Sequence, residues 1–130
     1  MKHGNKIGQG KWRTVYEHLD DQTLVIKKLT PDRKKLSKNG IKYLEENFNP
    51  NLQEWKVWQK YKDTDYAQYL CPCVSITDDG QFLVMKRAKN AKTMLKNKLP
   101  NEIEDTEWLQ NWGTFEDRTV IVDYGNVHNI

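Results

Sequence analysis

Cysteine is scarce in this chain of 130 residues: there are two, Cys71 and Cys73, flanking Pro72. Positions so close along an extended run do not readily form a disulfide, and a lone CxC with three scattered histidines (His3, His18, His128) is poor material for zinc. Both thiols are expected to be small buried residues. Long apolar runs are absent as well. No stretch is long enough to span a bilayer and no signal-peptide pattern follows Met1, which places the chain in the cytoplasm and off the membrane. Charge of one sign is barely in excess: 21 Lys and Arg against 18 Asp and Glu leave +3, too mild a balance for a dedicated nucleic-acid binder. There is no repeat and no low-complexity segment. What is present suits one globular domain, in which five tryptophans can anchor a small core.

The chain is organised around residues 8 to 28. Gly8 and Gly10 let backbone approach a ligand closely. Behind them, Thr14 to His18 and Thr23 to Lys28 flank the polar turn Leu19-Asp20-Asp21-Gln22 and are expected to pair antiparallel. Lys27 then lies beneath the glycine turn, where lid amides and an ammonium suit a nucleotide's phosphates. The plain alternative is a tight hairpin with a solvated lysine at a strand edge. Met1 to Ile7 is expected to enter the turn as a strand. Thr30-Pro31-Asp32 breaks the strand run, and Arg33 to Lys38 forms an exposed basic helical turn.

Ile41, Leu44 and Phe48 predict a short helix within 40–48. Asn49 as N-cap and Pro50 at the first helical position open a longer helix, whose Leu52, Trp55, Trp58 and Tyr61 form a stripe facing the sheet. Glu54 sits on the flank of that stripe, either reaching Lys27 or exposed in the first turn. Residues 62–68 read as loop. Tyr69 to Thr77 and Gln81 to Arg87 flank an Asp-Gly turn and complete a five-stranded antiparallel sheet. Lys86 to Lys98 reads as a short basic helix ended by Pro100. Asn101 to Glu107 is acidic and either pairs with it or stays solvated. Trp108 to Gly113 reads as a turn, and Thr119 to Val122 as a buried strand that delivers Asp123-Tyr124-Gly125. The fold class is therefore α+β: a five-stranded antiparallel sheet packed on one long helix, plus a short C-terminal segment ending in a strand and a DYG turn.

The order of these parts resembles the protein kinase-like fold, with residues 1–88 similar to its N-terminal lobe and 89–130 to a reduced catalytic-loop and DFG region. Gly8-x-Gly10-x-x-Arg13-x-Val15 resembles the glycine-rich loop, with Trp12 at its aromatic tip and Arg13 replacing the third glycine. Ile26-Lys27 resembles the strand ending in the phosphate-binding lysine, and Glu54 its helix partner. Gln81 to Ala88 resembles the strand leading to the hinge, with Met85 at the gatekeeper position and Lys86 to Ala88, Arg87 among them, along the adenine edge. Asp123-Tyr124-Gly125 matches the metal-binding motif, and Asn111 fits the catalytic-loop asparagine. The chain departs from the pattern in having no His-Arg-Asp triplet: Thr106 stands five before Asn111, with Asp105 displaced by one. After Gly125 there is no room for an activation loop or a helical substrate lobe, a compaction that resembles the small kinase-like proteins of bacteriophages.

The resemblance implies two functions of different classes. One is a non-catalytic, pseudokinase-type module that binds and modulates a host or cellular protein, with contact candidates at Trp12, Arg13, Arg33, Lys34 and Lys35 and along Lys86 to Lys98. The other is a minimal kinase using ATP and Mg2+. In it Gly8, Gly10, Lys27, Met85 and Arg87 would hold nucleotide, Glu54 would orient Lys27, Asn111 and Asp123 would hold metal, and Asp105 would serve as a shifted base. The bland alternative treats Lys27 and Glu54 as an ordinary ion pair and Asp123 as the cap of a turn.

Overall fold

The computed structural model describes residues 1–127 and begins with three antiparallel strands, β1 (Lys6–Gln9), β2 (Arg13–Glu17) and β3 (Leu24–Leu29). The β2–β3 turn closes on Asp21, whose carboxylate accepts from the Thr23 backbone and hydroxyl. Two helices follow. In α1 (Lys38–Glu45) the Ser37 hydroxyl caps the first turn by accepting from the Gly40 N–H. In α2 (Pro50–Tyr61) the Asn49 side chain accepts from Leu52, and Pro50 occupies the first turn, as the sequence predicts. At twelve residues α2 has an ordinary length.

Strands β4 (Cys73–Ile76) and β5 (Phe82–Lys86) meet at a turn where Gly80 takes a left-handed φ of 69°. They complete a five-stranded antiparallel sheet in the order β1-β2-β3-β5-β4, which puts β3 and its Lys27 at the centre. A second sheet was not foreseen. It has three strands, β6 (Lys89–Asn90), β7 (Trp112–Phe115) and β8 (Arg118–Ile121), paired antiparallel. The β7–β8 turn is Glu116-Asp117 with both residues left-handed, a pairing that lacks the Asn-Gly or Asp-Gly signal normally used to recognise such hairpins.

The core lies between the large sheet, α2 and the small sheet. Val25, Leu83 and Met85 from β3 and β5 meet Val57 and Tyr61 of α2, and Trp112, Val120, Ile121 and Tyr124 from below. Each such side chain contributes about 1.5–3 kcal/mol by leaving water. Cys71 and Cys73 are free and buried in this core, and burial pushes both thiols up to about 12. His128 lies outside the described residues.

Several local expectations give way to packing. The inward face of α2 is Asn51, Glu54, Val57 and Tyr61; Leu52 is exposed and Trp55 and Trp58 are only half-buried. The helix is turned because the sheet beneath it presents buried cations, and a carboxylate must face them. Lys86 to Lys98 is no helix: its backbone supplies β6 and then a short 3-10 turn at Lys96–Lys98, because the edge of β7 offers it ladder hydrogen bonds. The acidic segment pairs with α2 through Lys60 and Glu102 at 2.9 Å. Residues 65–69 are a 3-10 turn, and the basic stretch at 33–35 is a turn outside any helix. Asp123-Tyr124-Gly125 is extended, without a turn, and carries Tyr124 into the core. Among the described residues no helix is long and apolar enough to cross a membrane.

Candidate functional site

Period-two alternation in β2 places Arg13 and Val15 on one face, and the register sets Val15 opposite Lys27. Both cations therefore point under the glycine turn, toward α2. Glu54, fully buried on α2, answers them. Lys27 Nζ donates to Glu54 Oε1 at 2.6 Å, and the Arg13 guanidinium forks onto both Glu54 oxygens at 3.0 and 3.2 Å. The Tyr124 N–H adds a third kind of donor to Glu54 Oε2, at 2.8 Å. Arg13 also reaches Asp123 Oδ1 at 2.8 Å, and Lys27 donates to the Val122 carbonyl. Lys27, Glu54 and Asp123 thus converge, with Arg13 as the piece that joins them.

Asn51, one helical turn before Glu54, has no exposure and links the network to the sheet. Its amide accepts from Arg13 at 3.1 Å and donates to the carbonyls of Lys27, Gly80 and Gln81 at 3.0 to 3.1 Å. Sequence reasoning missed it, although its i, i+3 spacing from Glu54 puts it on the same face. Burial alone would raise the Glu54 pKa. Arg13, then Lys27, outweigh it and hold the carboxyl at about 2, and the Glu54 and Asp123 charges likewise outweigh burial to raise Arg13. Because the Glu54 pKa is lower folded than unfolded, its stabilisation is complete above about pH 4.5 and is lost as pH falls toward 2. A urea series between pH 7 and 2 is expected to lose about 3 kcal/mol through this window, and Glu54→Gln should flatten that part of the profile.

Beside the network opens a cavity of about 690 Å³, bounded by the glycine turn, α1 and residues 104–105 and 122–127. Lys11, Trp12, Lys27, Tyr43, Asp105 and Asp123 are on its wall. The glycine turn over it is tethered. Gly10 N–H donates to the Arg13 carbonyl, the Lys11 and Trp12 carbonyls accept from Asp32 and Thr30, and the Trp12 ring packs edge-on against Phe48 at 5.0 Å.

The remaining predicted positions scatter. Gly8 lies in β1 opposite Val15, off the cavity. Met85 is fully buried in the core, and Arg87 pairs with Glu17 at 3.1 Å; neither lines the cavity. Along the expected adenine edge the Lys86 and Arg87 N–H groups donate to the Pro72 and Thr23 carbonyls. Gly113 backs directly onto that edge: a Cβ there would come within 2.8 Å of Ala88 and 3.0 Å of Val122. Asn111 donates its side-chain amide to the Asp105 carbonyl at 2.9 Å, and its own backbone carbonyl accepts from the Val122 N–H at 2.7 Å. Asp105, in a left-handed conformation, accepts from Asn126 at 2.6 Å. Trp12 is half-buried. Arg13 is 8% exposed and cannot serve as a surface contact, because its charge is consumed inside. Arg33, Lys34 and Lys35 are exposed, with Arg33 near Glu45 at 3.5 Å.

A magnesium ion needs several free oxygen ligands in near-octahedral array. As arranged, these residues do not fit one: Asp123 already carries a guanidinium, the Asn111 amide is engaged by the Asp105 carbonyl, and no cluster of three metal-ligating side chains exists among the described residues.

No family model and no curated protein matches the sequence. Among solved structures the chain is similar to PpkA-294 in its apo form, a bacterial Ser/Thr kinase fragment, with 17% identity and a TM-score of 0.56. The match covers 95% of this chain and 58% of that one, so the chain spans a little over half the length of PpkA-294. At that level of identity the likeness speaks for architecture alone: the chain has a protein kinase-like fold.

Proposed function

We propose that the chain is a non-catalytic, kinase-like module that acts by binding a protein partner and modulating it. The observation that carries this reading is the Arg13 guanidinium lodged between Glu54 and Asp123. Phosphoryl transfer rests on charges held ready for phosphate and metal. Here two cations and two carboxylates neutralise one another before any ligand arrives. The surface offers contact points instead: the exposed turn Arg33-Lys34-Lys35, and Tyr43 on α1 with half-buried Trp12 across the cavity. A cellular protein with an acidic contact face is the matching partner. The resemblance to compact bacteriophage proteins makes a host regulatory or defence enzyme the expected target.

A ligand bound only by the folded state raises the melting midpoint in a concentration-dependent way, by about 2.7 kcal/mol of stability at a hundred times its Kd. Millimolar Mg-ATP that leaves the midpoint of the wild-type protein unmoved removes the enzyme reading and leaves the binding reading standing, while a protein that captures no cellular partner at all would end the binding reading. Lys34→Glu with Lys35→Glu should abolish capture of a partner that wild type retains.

The Lys27–Glu54 contact at 2.6 Å favours a second reading, a minimal ATP-dependent kinase, since that pair is what the kinase phosphate site needs. Lys27 would then hold phosphate, Asp105 would accept the substrate proton and Asp123 with Asn111 would hold metal. Transfer of the terminal phosphate, abolished by Lys27→Ala or Asp123→Ala, is its signature. Wild-type protein that labels neither itself nor cell extract with Mg-ATP eliminates it.

A further inference from the structure

We infer that Arg13 is the resident counter-cation of Asp123, an internal replacement for a divalent ion, and that its fixed position bars such ions from the cavity. The inference rests on the kinase-like, non-catalytic reading above and takes its force from how completely the guanidinium is held. One nitrogen, Nη1, donates to Glu54 Oε1 at 3.0 Å and Asn51 Oδ1 at 3.1 Å; the other, Nη2, donates to Glu54 Oε2 at 3.2 Å and Asp123 Oδ1 at 2.8 Å. The planar fork makes four hydrogen bonds to three side chains from two separated nitrogens, a span that the single nitrogen of an ammonium, with three donors, cannot reproduce.

The backbone behind it is equally fixed. Arg13 pairs with Leu29 across the sheet, its carbonyl accepts from Gly10, and its neighbour Trp12 accepts from Thr30. Withdrawing the side chain would leave Glu54, which has no exposure, with Lys27 as its one remaining side-chain cation in the network. Arg13 and Lys27 against Glu54 and Asp123 sum to zero charge. A divalent ion at Asp123 would therefore bring two further positive charges beside a guanidinium that is itself buried. Asp123 itself is otherwise suited to a hard cation: its side chain is 53% exposed, and Asp105 stands on the wall of the same cavity.

The test uses Mn2+ alone as the probe, with free ion read by electron paramagnetic resonance while the full chain is titrated. Arg13→Ala empties a buried site and is liable to unfold the protein, so the deciding variant is Arg13→Lys. It keeps a cation beside Glu54 but cannot also span to Asp123, and its fold is checked by circular dichroism. Wild type is expected to show no saturable Mn2+ binding, and Arg13→Lys to bind at least about tenfold more tightly. Adding Asp123→Asn to Arg13→Lys should return binding to the wild-type level. A folded Arg13→Lys protein that binds Mn2+ no better than wild type overturns the inference, as does a gain that survives Asp123→Asn or saturable binding by wild type. Failure here leaves the partner-binding reading intact, whereas wild-type protein that captures no cellular partner removes that reading without any Mn2+ measurement.

Discussion

Glu54→Ala is expected to cost about 3–5 kcal/mol of folding free energy, because it strands Arg13 and Lys27 in a buried site without their shared anion. The carboxylate is the hub of the network: it accepts from both cations and from the Tyr124 N–H, and none of its surface meets water. A domain of this size has roughly 5–15 kcal/mol in total, so the variant stands near the edge of folding. Urea denaturation should report a lowered midpoint with an unchanged slope. Glu54→Gln fills the same volume and can still accept hydrogen bonds, so it should retain part of what alanine loses. A Glu54→Ala protein within about 1 kcal/mol of wild type would mean that the four charges are not coupled as their distances imply.

Tyr124→Ala is expected to be nearly as damaging, at about 3–5 kcal/mol, the range for emptying a large aromatic from a packed interior. Its ring is fully buried where the two sheets and α2 meet, and its hydroxyl donates to the Cys71 carbonyl at 2.6 Å with Cys73 Sγ 3.3 Å away. Burial lifts its pKa well above the ordinary phenol value, so the hydroxyl stays neutral and available as a donor. Tyr124→Phe separates the two contributions. It keeps the ring but leaves the Cys71 carbonyl unsatisfied, for a loss of about 1–3 kcal/mol. Thermal melts of the two variants should therefore fall in order, phenylalanine first and alanine lower. Equal melting points would show that the hydroxyl, rather than the ring, holds the small sheet to the large one.

These two residues explain why the site is rigid. Tyr124 anchors the 123–125 segment in the core, and its own N–H is tied to Glu54. Gly125 continues the close approach: a Cβ there would come within 2.6 Å of the Pro50 carbonyl, so only glycine lets this segment lie against the start of α2. Asp123 is thus delivered to Arg13 by backbone that has no room to move. The glycine turn, tied through Lys11, Trp12 and Gly10, holds Arg13 from the other side. A scaffold fixed in this way works against the lid motion that nucleotide exchange would need.

Much of the large sheet was legible from local chemistry. The Asp-Gly turn, the Asn49-Pro50 helix start and the alternation through residues 13–28 each name their structure through short-range sterics and hydrogen bonding, which the chain carries wherever it goes. Lys27 and Asp123 could be singled out as ends of strands. The role of Arg13 was not recovered, although its spacing from Val15 placed it on the inward face; a charged residue near a turn looks like a surface contact until a buried partner is known. The small sheet was hidden for a related reason. Lys89 and Asn90 are polar, and they become a strand only because the edge of β7 is beside them.

The sequence by itself determined the elements whose signals are local: the first hairpin, the start of α2, the β4–β5 turn, and the pair of free thiols that an extended CxC leaves unlinked. The tertiary structure alone decided which way α2 faces, that Lys86 to Lys98 is sheet edge rather than helix, and that Arg13 closes the space between Glu54 and Asp123. The reason is desolvation. A charge buried far from water is tolerable only beside its opposite, and which opposite it meets depends on residues 41 and 110 positions away along the chain.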